Sequence, residues 1–258
     1  MFLGYPRSGH SLVGSLLDAH PDVVLAHELD SVRLIRLGFR RDQLFALILA
    51  NERSFTDSGR LWTGSDYRVP DQWQGAFRRL RVIGDKKGGQ STRRLREAPK
   101  RLDRLRRTVG VPLRVVHVIR NPFDNIASMS LRRDALIEDV AEDYFGLCAA
   151  VEKLVARFAP EEIAAVRYET LVEDPLLTLS DLCRFLGVET ESTYLRDAAS
   201  ILKEEPSLTR ERVTWSPRLR AEIEHRMADH EHLSGYSFDH QSSGGERTIT
   251  ADGDRPRA

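Results

Sequence analysis

Short runs of apolar residues, each broken by glycine or polar turns, alternate along the chain with longer stretches of helical spacing. Met1-Phe-Leu-Gly4 reads as a short strand that enters a glycine turn. It is followed over Ser11–Ala19 by apolar residues at Leu12, Val13, Leu16 and Leu17, a helical spacing. Asp22–Ala26 predicts a second buried strand, Ser31–Leu37 and Gln43–Leu49 two helices, and Arg81–Gly84 another strand. The stretch Glu52–Gln74 is polar and loop-like yet carries Trp62, Tyr67 and Trp73. A basic helix is expected over Leu95–Val109, and Leu113–Ile119 is the clearest buried strand. Helices over Asp124–Ser130 and Ile137–Phe158 come next. A strand over Ile163–Tyr168 and a helix over Leu176–Leu186, stopped by Gly187, follow them. Beyond Lys203 the pattern loosens until a helix resumes at Pro217, and residues 241–258 read as a polar, disordered tail. Strand–helix alternation of this kind predicts one three-layer α/β domain over residues 1–240, with a central parallel sheet and helices on both faces.

Composition narrows this picture a little. Lysine plus arginine equals aspartate plus glutamate at 39 each in 258 residues, so any anion binding must come from local clusters, and no nucleic-acid partner is implied. The two cysteines, Cys148 and Cys183, sit in apolar helical patterns and read as buried thiols of a reducing compartment. No apolar run approaches the roughly 18–20 residues of a membrane span, and the start lacks a basic-then-apolar leader. The sequence therefore reads as cytoplasmic, without a membrane partner.

Two stretches carry chemistry. Gly4-Tyr-Pro-Arg7-Ser8-Gly9-His10-Ser11 lies between a strand and a helix with the spacing GxxxxGK[ST], except that His10 stands in the lysine position. Backbone N–H groups around such a glycine, together with the helix N-terminus, make an anion cradle, to which Arg7 adds a forked cation and Ser11 a hydroxyl. The second stretch, Val115-Val-His-Val-Ile-Arg120-Asn-Pro-Phe-Asp124-Asn-Ile-Ala-Ser128, is a strand, a turn and a helix start. Arg120 and Ser128 can converge on one phosphate, with Arg132 a helical turn further on the same face. Taken singly, these are ordinary solvated residues. Taken together, they outline two phosphate sites in one α/β chain.

Both stretches resemble sulfotransferases that use 3′-phosphoadenosine-5′-phosphosulfate. The first is similar to the family's 5′-phosphosulfate loop and the second to its 3′-phosphate site. The run from Arg7 through Leu17-Asp-Ala-His-Pro21 to Val23 looks most like the tyrosylprotein sulfotransferase branch. The resemblance implies cofactor-binding roles for Arg7, Ser8, Gly9, His10, Ser11, Arg120, Ser128 and Arg132, and places Tyr168 near the adenine. It also matches Lys86, in Gly84-Asp-Lys-Lys-Gly88, to a lysine that reaches the transferring sulfuryl group, and Glu28 to a glutamate general base. Catalysis is thus expected from Glu28, Lys86 and Arg7, without a metal. Gly88 stands where the small-molecule cytosolic branch has a histidine base. His27 is a rival base, but neighbours at a strand end are expected to point to opposite faces. The product would be 3′,5′-adenosine bisphosphate, and the acceptor a small molecule, a sugar or a peptide. A P-loop kinase and a catalytically silent nucleotide-binding module are the competing readings.

Overall fold

The computed structural model describes residues 1–239; the sequence-predicted tail lies outside the described residues. In chain order the elements are β1 (Phe2–Gly4), α1 (His10–Asp18), β2 (Val23–His27), α2 (Ser31–Arg36), α3 (Arg41–Asp57), β3 (Leu61–Trp62), β4 (Ser65–Asp66) and β5 (Val82–Lys86). Then come α4 (Gly88–Glu97), α5 (Lys100–Val109), β6 (Val115–Ile119), α6 (Pro122–Arg133), α7 (Ile137–Val155) and β7 (Ile163–Arg167). The described chain closes with α8 (Tyr168–Glu173), α9 (Pro175–Leu186), α10 (Ser192–Ala199) and α11 (Pro217–Met227).

The strands form two parallel ladders, β1-β6-β7 and β2-β5. Side chains alternate across each strand, and the packing follows that alternation. Phe2, Val23, Leu25, Val116, Val118, Ala164 and Val166 pack with α1 and α9 through Leu16, Leu17, Leu179 and Phe185. Their neighbours turn the other way: Leu3, Val24, Ala26 and Val115 meet Leu44, Ile48, Leu102 and Leu105, while Ile119 meets Phe123, Tyr144 and Leu147. Both faces are therefore covered, which is why β2 and β6 are buried at every position and are apolar apart from His27 and His117. Cys148 and Cys183 are buried free thiols.

Local chemistry sets the helix ends. Pro122, Pro175 and Pro217 occupy first-turn positions, behind caps in which the side chains of Asn121, Asp174 and Ser216 accept backbone N–H groups. Gly187 ends α9 in the left-handed conformation, φ 72°. The single basic helix expected over Leu95–Val109 is two helices. Pro99 disfavours helical backbone at Ala98, which separates α4 from α5. The expected loop over Glu52–Gln74 is also partly regular: its first six residues complete α3, and β3 and β4 form a hairpin whose turn residues Thr63 and Gly64 have φ 49° and 82°. Among the described residues no helix is long and apolar enough to cross a membrane.

Candidate active site

Five strands end on one side, and each hands the chain directly to a residue singled out by the sequence. The turn after β1 is the loop Tyr5–Gly9, and β2 delivers His27 and Glu28. Lys86 ends β5, Arg120 follows β6, and Tyr168 follows β7. Parallel strands put their carboxyl ends together, so residues far apart in sequence meet there.

The loop is braced from outside. Thr92 Oγ1 accepts the Gly4 N–H at 2.9 Å, Asn125 Nδ2 donates to the Pro6 carbonyl at 2.8 Å, and the Ser8 hydroxyl donates to the Tyr5 carbonyl at 3.1 Å. Tyr5 is itself pinned by His232 and His117 at 2.6 and 3.1 Å. Gly9 caps α1 with φ 103°, and a Cβ there would stand 2.8 Å from the Tyr168 ring. His10 does not extend as a lysine would. Its imidazole lies buried against the Leu3 carbonyl, 3.1 Å away, and burial lowers its pKa to about 4. A Cβ at Gly88 would overlap this ring, so the bare glycine and the imidazole fill one space.

Lys86 supplies a lysine from another strand. Its stem crosses Gly14, where a Cβ would come within 2.7 Å, and its Nζ donates to Ser11 Oγ at 2.9 Å and Glu28 Oε1 at 2.6 Å. Lys87 holds the other Glu28 oxygen at 2.7 Å. Burial pushes the Glu28 carboxyl up, but the two lysines outweigh it and leave the pKa below the usual value. Burial lowers the Lys86 ammonium, and Glu28 partly offsets that. His27 also reaches Lys86, with Nε2 at 3.5 Å. Glu28 adopts left-handed backbone, φ 63°, and lines the cleft, whereas His27 touches the same lysine without being among the cleft-lining residues. His27 stacks on Phe55 at 3.9 Å and meets Trp62 edge-on at 5.0 Å; burial and then Lys86 lower its pKa to about 3.

The second stretch closes on the first. Arg7 Nε donates to Ser128 Oγ at 3.1 Å, and Arg120 Nη1 donates to the Arg7 carbonyl at 3.2 Å. The Arg120 guanidinium lies over the Tyr168 ring, 5.2 Å from its centroid, and donates to Ser207 and Thr209. Its Nε is buried without a hydrogen-bond partner. A forked cation with an orphaned donor, a serine and a braced glycine loop together suit a ligand with two phosphate-like groups. Arg132 lines the same cleft at its exposed rim.

The cleft encloses about 1240 Å³, above the usual range for one small ligand. Trp62 and Tyr67 line it, while Trp73 lies outside, and its backbone N–H donates to the Ala19 carbonyl. Lys87 looked like any loop lysine in the sequence. Ser207 and Thr209 lie in the stretch Ser207–Trp215, which by the resemblance occupies the position of the family's adenine- and phosphate-covering loop but lacks a clear Arg-Lys-Gly sequence, so no individual residue stood out there.

A sulfotransferase family model matches residues 1–192. A search of curated proteins finds no match. Among solved structures, the sulfotransferase domain from the Synechococcus PCC 7002 olefin synthase is similar with a TM-score of 0.52 at 20% identity, covering 86% of each chain. The sulfotransferase domain from the curacin biosynthetic pathway has a TM-score of 0.55 at 18% identity, covering 88% of this chain and 95% of that one. Both likenesses are of fold.

Proposed function

The chain belongs to the sulfotransferase family, and we propose that it transfers a sulfuryl group from 3′-phosphoadenosine-5′-phosphosulfate to an acceptor hydroxyl or amine. The observation that carries this reading is the meeting of the Arg7 loop with Arg120 and Ser128, two anion-binding stretches more than a hundred residues apart. The loop Arg7–Ser11, the His10 backbone included, holds the 5′ end. Arg120, Ser128 and Arg132 hold the 3′-phosphate, and Tyr168 lies beside the base. The run Leu17-Asp-Ala-His-Pro21 and the glutamate beyond it support a place near the tyrosylprotein branch.

When bound, the donor supplies an activated sulfuryl group, whose bond to the 5′-phosphate oxygen breaks as the acceptor oxygen bonds to sulfur. Glu28 takes the acceptor's proton, as a carboxylate within hydrogen-bond reach of that oxygen. Lys86, fixed by Ser11 and His27, and Arg7 stabilise negative charge as it grows on the departing side. Neutral His27 orients Lys86 and packs edge-on against Trp62, which lines the cleft beside the acceptor.

Transfer of labelled sulfuryl from the donor to a panel of phenols, sugars and tyrosine peptides, with a metal chelator present, tests the reading. Binding of 3′,5′-adenosine bisphosphate without transfer to any acceptor would sink it. Arg120→Ala is expected to weaken 3′,5′-adenosine bisphosphate by about 1.5–3 kcal/mol in calorimetric titration, the usual value of a charge-assisted contact. Ser128→Ala is expected to cost less, as a single neutral donor. An unchanged affinity in Arg120→Ala removes it from the donor site. Trp62→Ala is expected to raise acceptor KM several-fold. A fall in thermal stability with acceptor KM unchanged assigns Trp62 to pinning the hairpin instead.

A further inference from the structure

Besides the aromatic hairpin, α4 and α6 also line the cleft. α4 starts tight against the donor loop, since a Cβ at Gly89 would stand 2.7 Å from Pro6 Cδ. Arg93, further along α4, and Arg133, at the end of α6, both line the cleft. Asp143 of α7 ties them together. Arg93 Nη1 donates to its Oδ1 at 2.7 Å and Nη2 to its Oδ2, while Arg133 Nη1 donates to Oδ2 at 2.7 Å.

One carboxylate shared by two guanidiniums leaves a positive charge in excess. Each guanidinium carries five N–H donors, and Asp143 takes two from Arg93 and one from Arg133, so the pair is held in place with donors left over. Nor does Asp66, a hairpin carboxylate that also lines the cleft, cancel the charge, since it is matched by its own Arg68 at 2.9 Å. Neither Arg93 nor Arg133 belongs to the loop or the Arg120 cluster. From Lys87, which grips Glu28, to Arg93 is six residues of helix start, or about 9 Å along the axis.

We propose that the acceptor is a small hydroxylated acid, whose hydroxyl lies at Glu28 and whose carboxylate or phosphate is gripped by Arg93 and Arg133. Its body runs past Trp62 and Tyr67. A planar fork recognises either anion through paired hydrogen bonds, and a guanidinium already immobilised by Asp143 loses little freedom on binding. This rests on Glu28 and Lys86 marking the point of transfer.

Three phenols separate the outcomes: 4-hydroxyphenylpropanoate, tyrosol phosphate and the amide of the propanoate. The expected kcat/KM of the wild-type chain for at least one anion exceeds that for the amide by about 10-fold or more, with the preference in KM. In Arg93→Gln and in Arg133→Gln the anion-to-amide ratio falls toward one, and Arg93→Lys, which keeps the charge, retains part of it. A ratio near one in the wild type, or variants that slow all three phenols in proportion, overturns the proposal. Calorimetric binding of the same phenols to the protein saturated with 3′,5′-adenosine bisphosphate reads the ratio without turnover. Absence of transfer to every phenol therefore counts against the sulfotransfer reading, while the binding ratio still decides the acceptor class.

Discussion

Glu28→Gln is expected to lower kcat by about 10²–10⁴-fold, the usual range for loss of a general base. Affinity for 3′,5′-adenosine bisphosphate should hold or tighten, because the variant removes a negative charge from beside Lys86 and Lys87. The two ammonium groups also set the pH dependence. They keep the carboxyl ionised to a lower pH than an ordinary glutamate, so the acid limb of kcat/KM, which reports the free enzyme, is expected below the usual carboxylate range. An anion near Lys86 competes with Glu28 for that lysine, so in kcat the same limb should move upward. His27→Ala is expected to be mild by comparison. With a pKa of about 3, His27 accepts a proton poorly, and its contact is with Lys86. If His27→Ala were the slower variant and Glu28→Gln the mild one, the base would be His27.

Arg60→Met is expected to destabilise the fold by about 3–5 kcal/mol, as when one member of a buried ionic cluster is removed. Arg60 is 1% exposed, with Asp18 at 3.2 Å, Glu52 in direct contact, Ser15 Oγ at 3.1 Å and the Phe55 ring beneath it. It joins α1 to α3 and to the base of the hairpin that carries Trp62. Without it, two buried carboxylates lose their counter-ion. Burial, and then Glu52, already raise the Asp18 pKa well above its usual value, and the substitution raises it further. A raised carboxyl binds a proton in the folded state that the unfolded chain has released, so stability falls as pH rises above the unfolded pKa. The deficit should accordingly be larger at pH 8 than at pH 5 in denaturant titrations. A loss below about 1 kcal/mol, or one independent of pH, would falsify the ionic account.

These two side chains differ in how far the sequence exposed them. Glu28 was readable from its place after a strand and from a family likeness. Nothing marked Arg60, which lay in a stretch taken for a loop, because the partners that justify burying it stand on α1 and α3. The motif Leu17-Asp-Ala-His-Pro21 was visible only as a signature; the fold gives it a task. Asp18 accepts the Leu25 N–H at 2.8 Å and meets Arg60. His20 accepts the Asp22 N–H at 3.0 Å through Nδ1, so its protonated Nε2 donates to the Glu189 carbonyl at 2.6 Å. Together they seat β2, and with it Glu28.

What the sequence determined by itself is what depends on neighbours along the chain. The buried strands follow from mainly apolar runs, the helix ends from proline, glycine and capping residues, and the loop after β1 from its glycine spacing. All of these are local and carry their physical cause with them. Tertiary structure alone decided what depends on distance in space. Lys86 crosses Gly14 to reach Ser11, Gly88 leaves room for the His10 ring, and Arg7 touches Ser128. Glu28, at a left-handed residue, shares one lysine with His27, yet of the two only Glu28 is among the residues lining the cleft. Parallel strands bring their carboxyl ends together whatever lies between them in sequence, so the site assembles from five strand ends that no local pattern links.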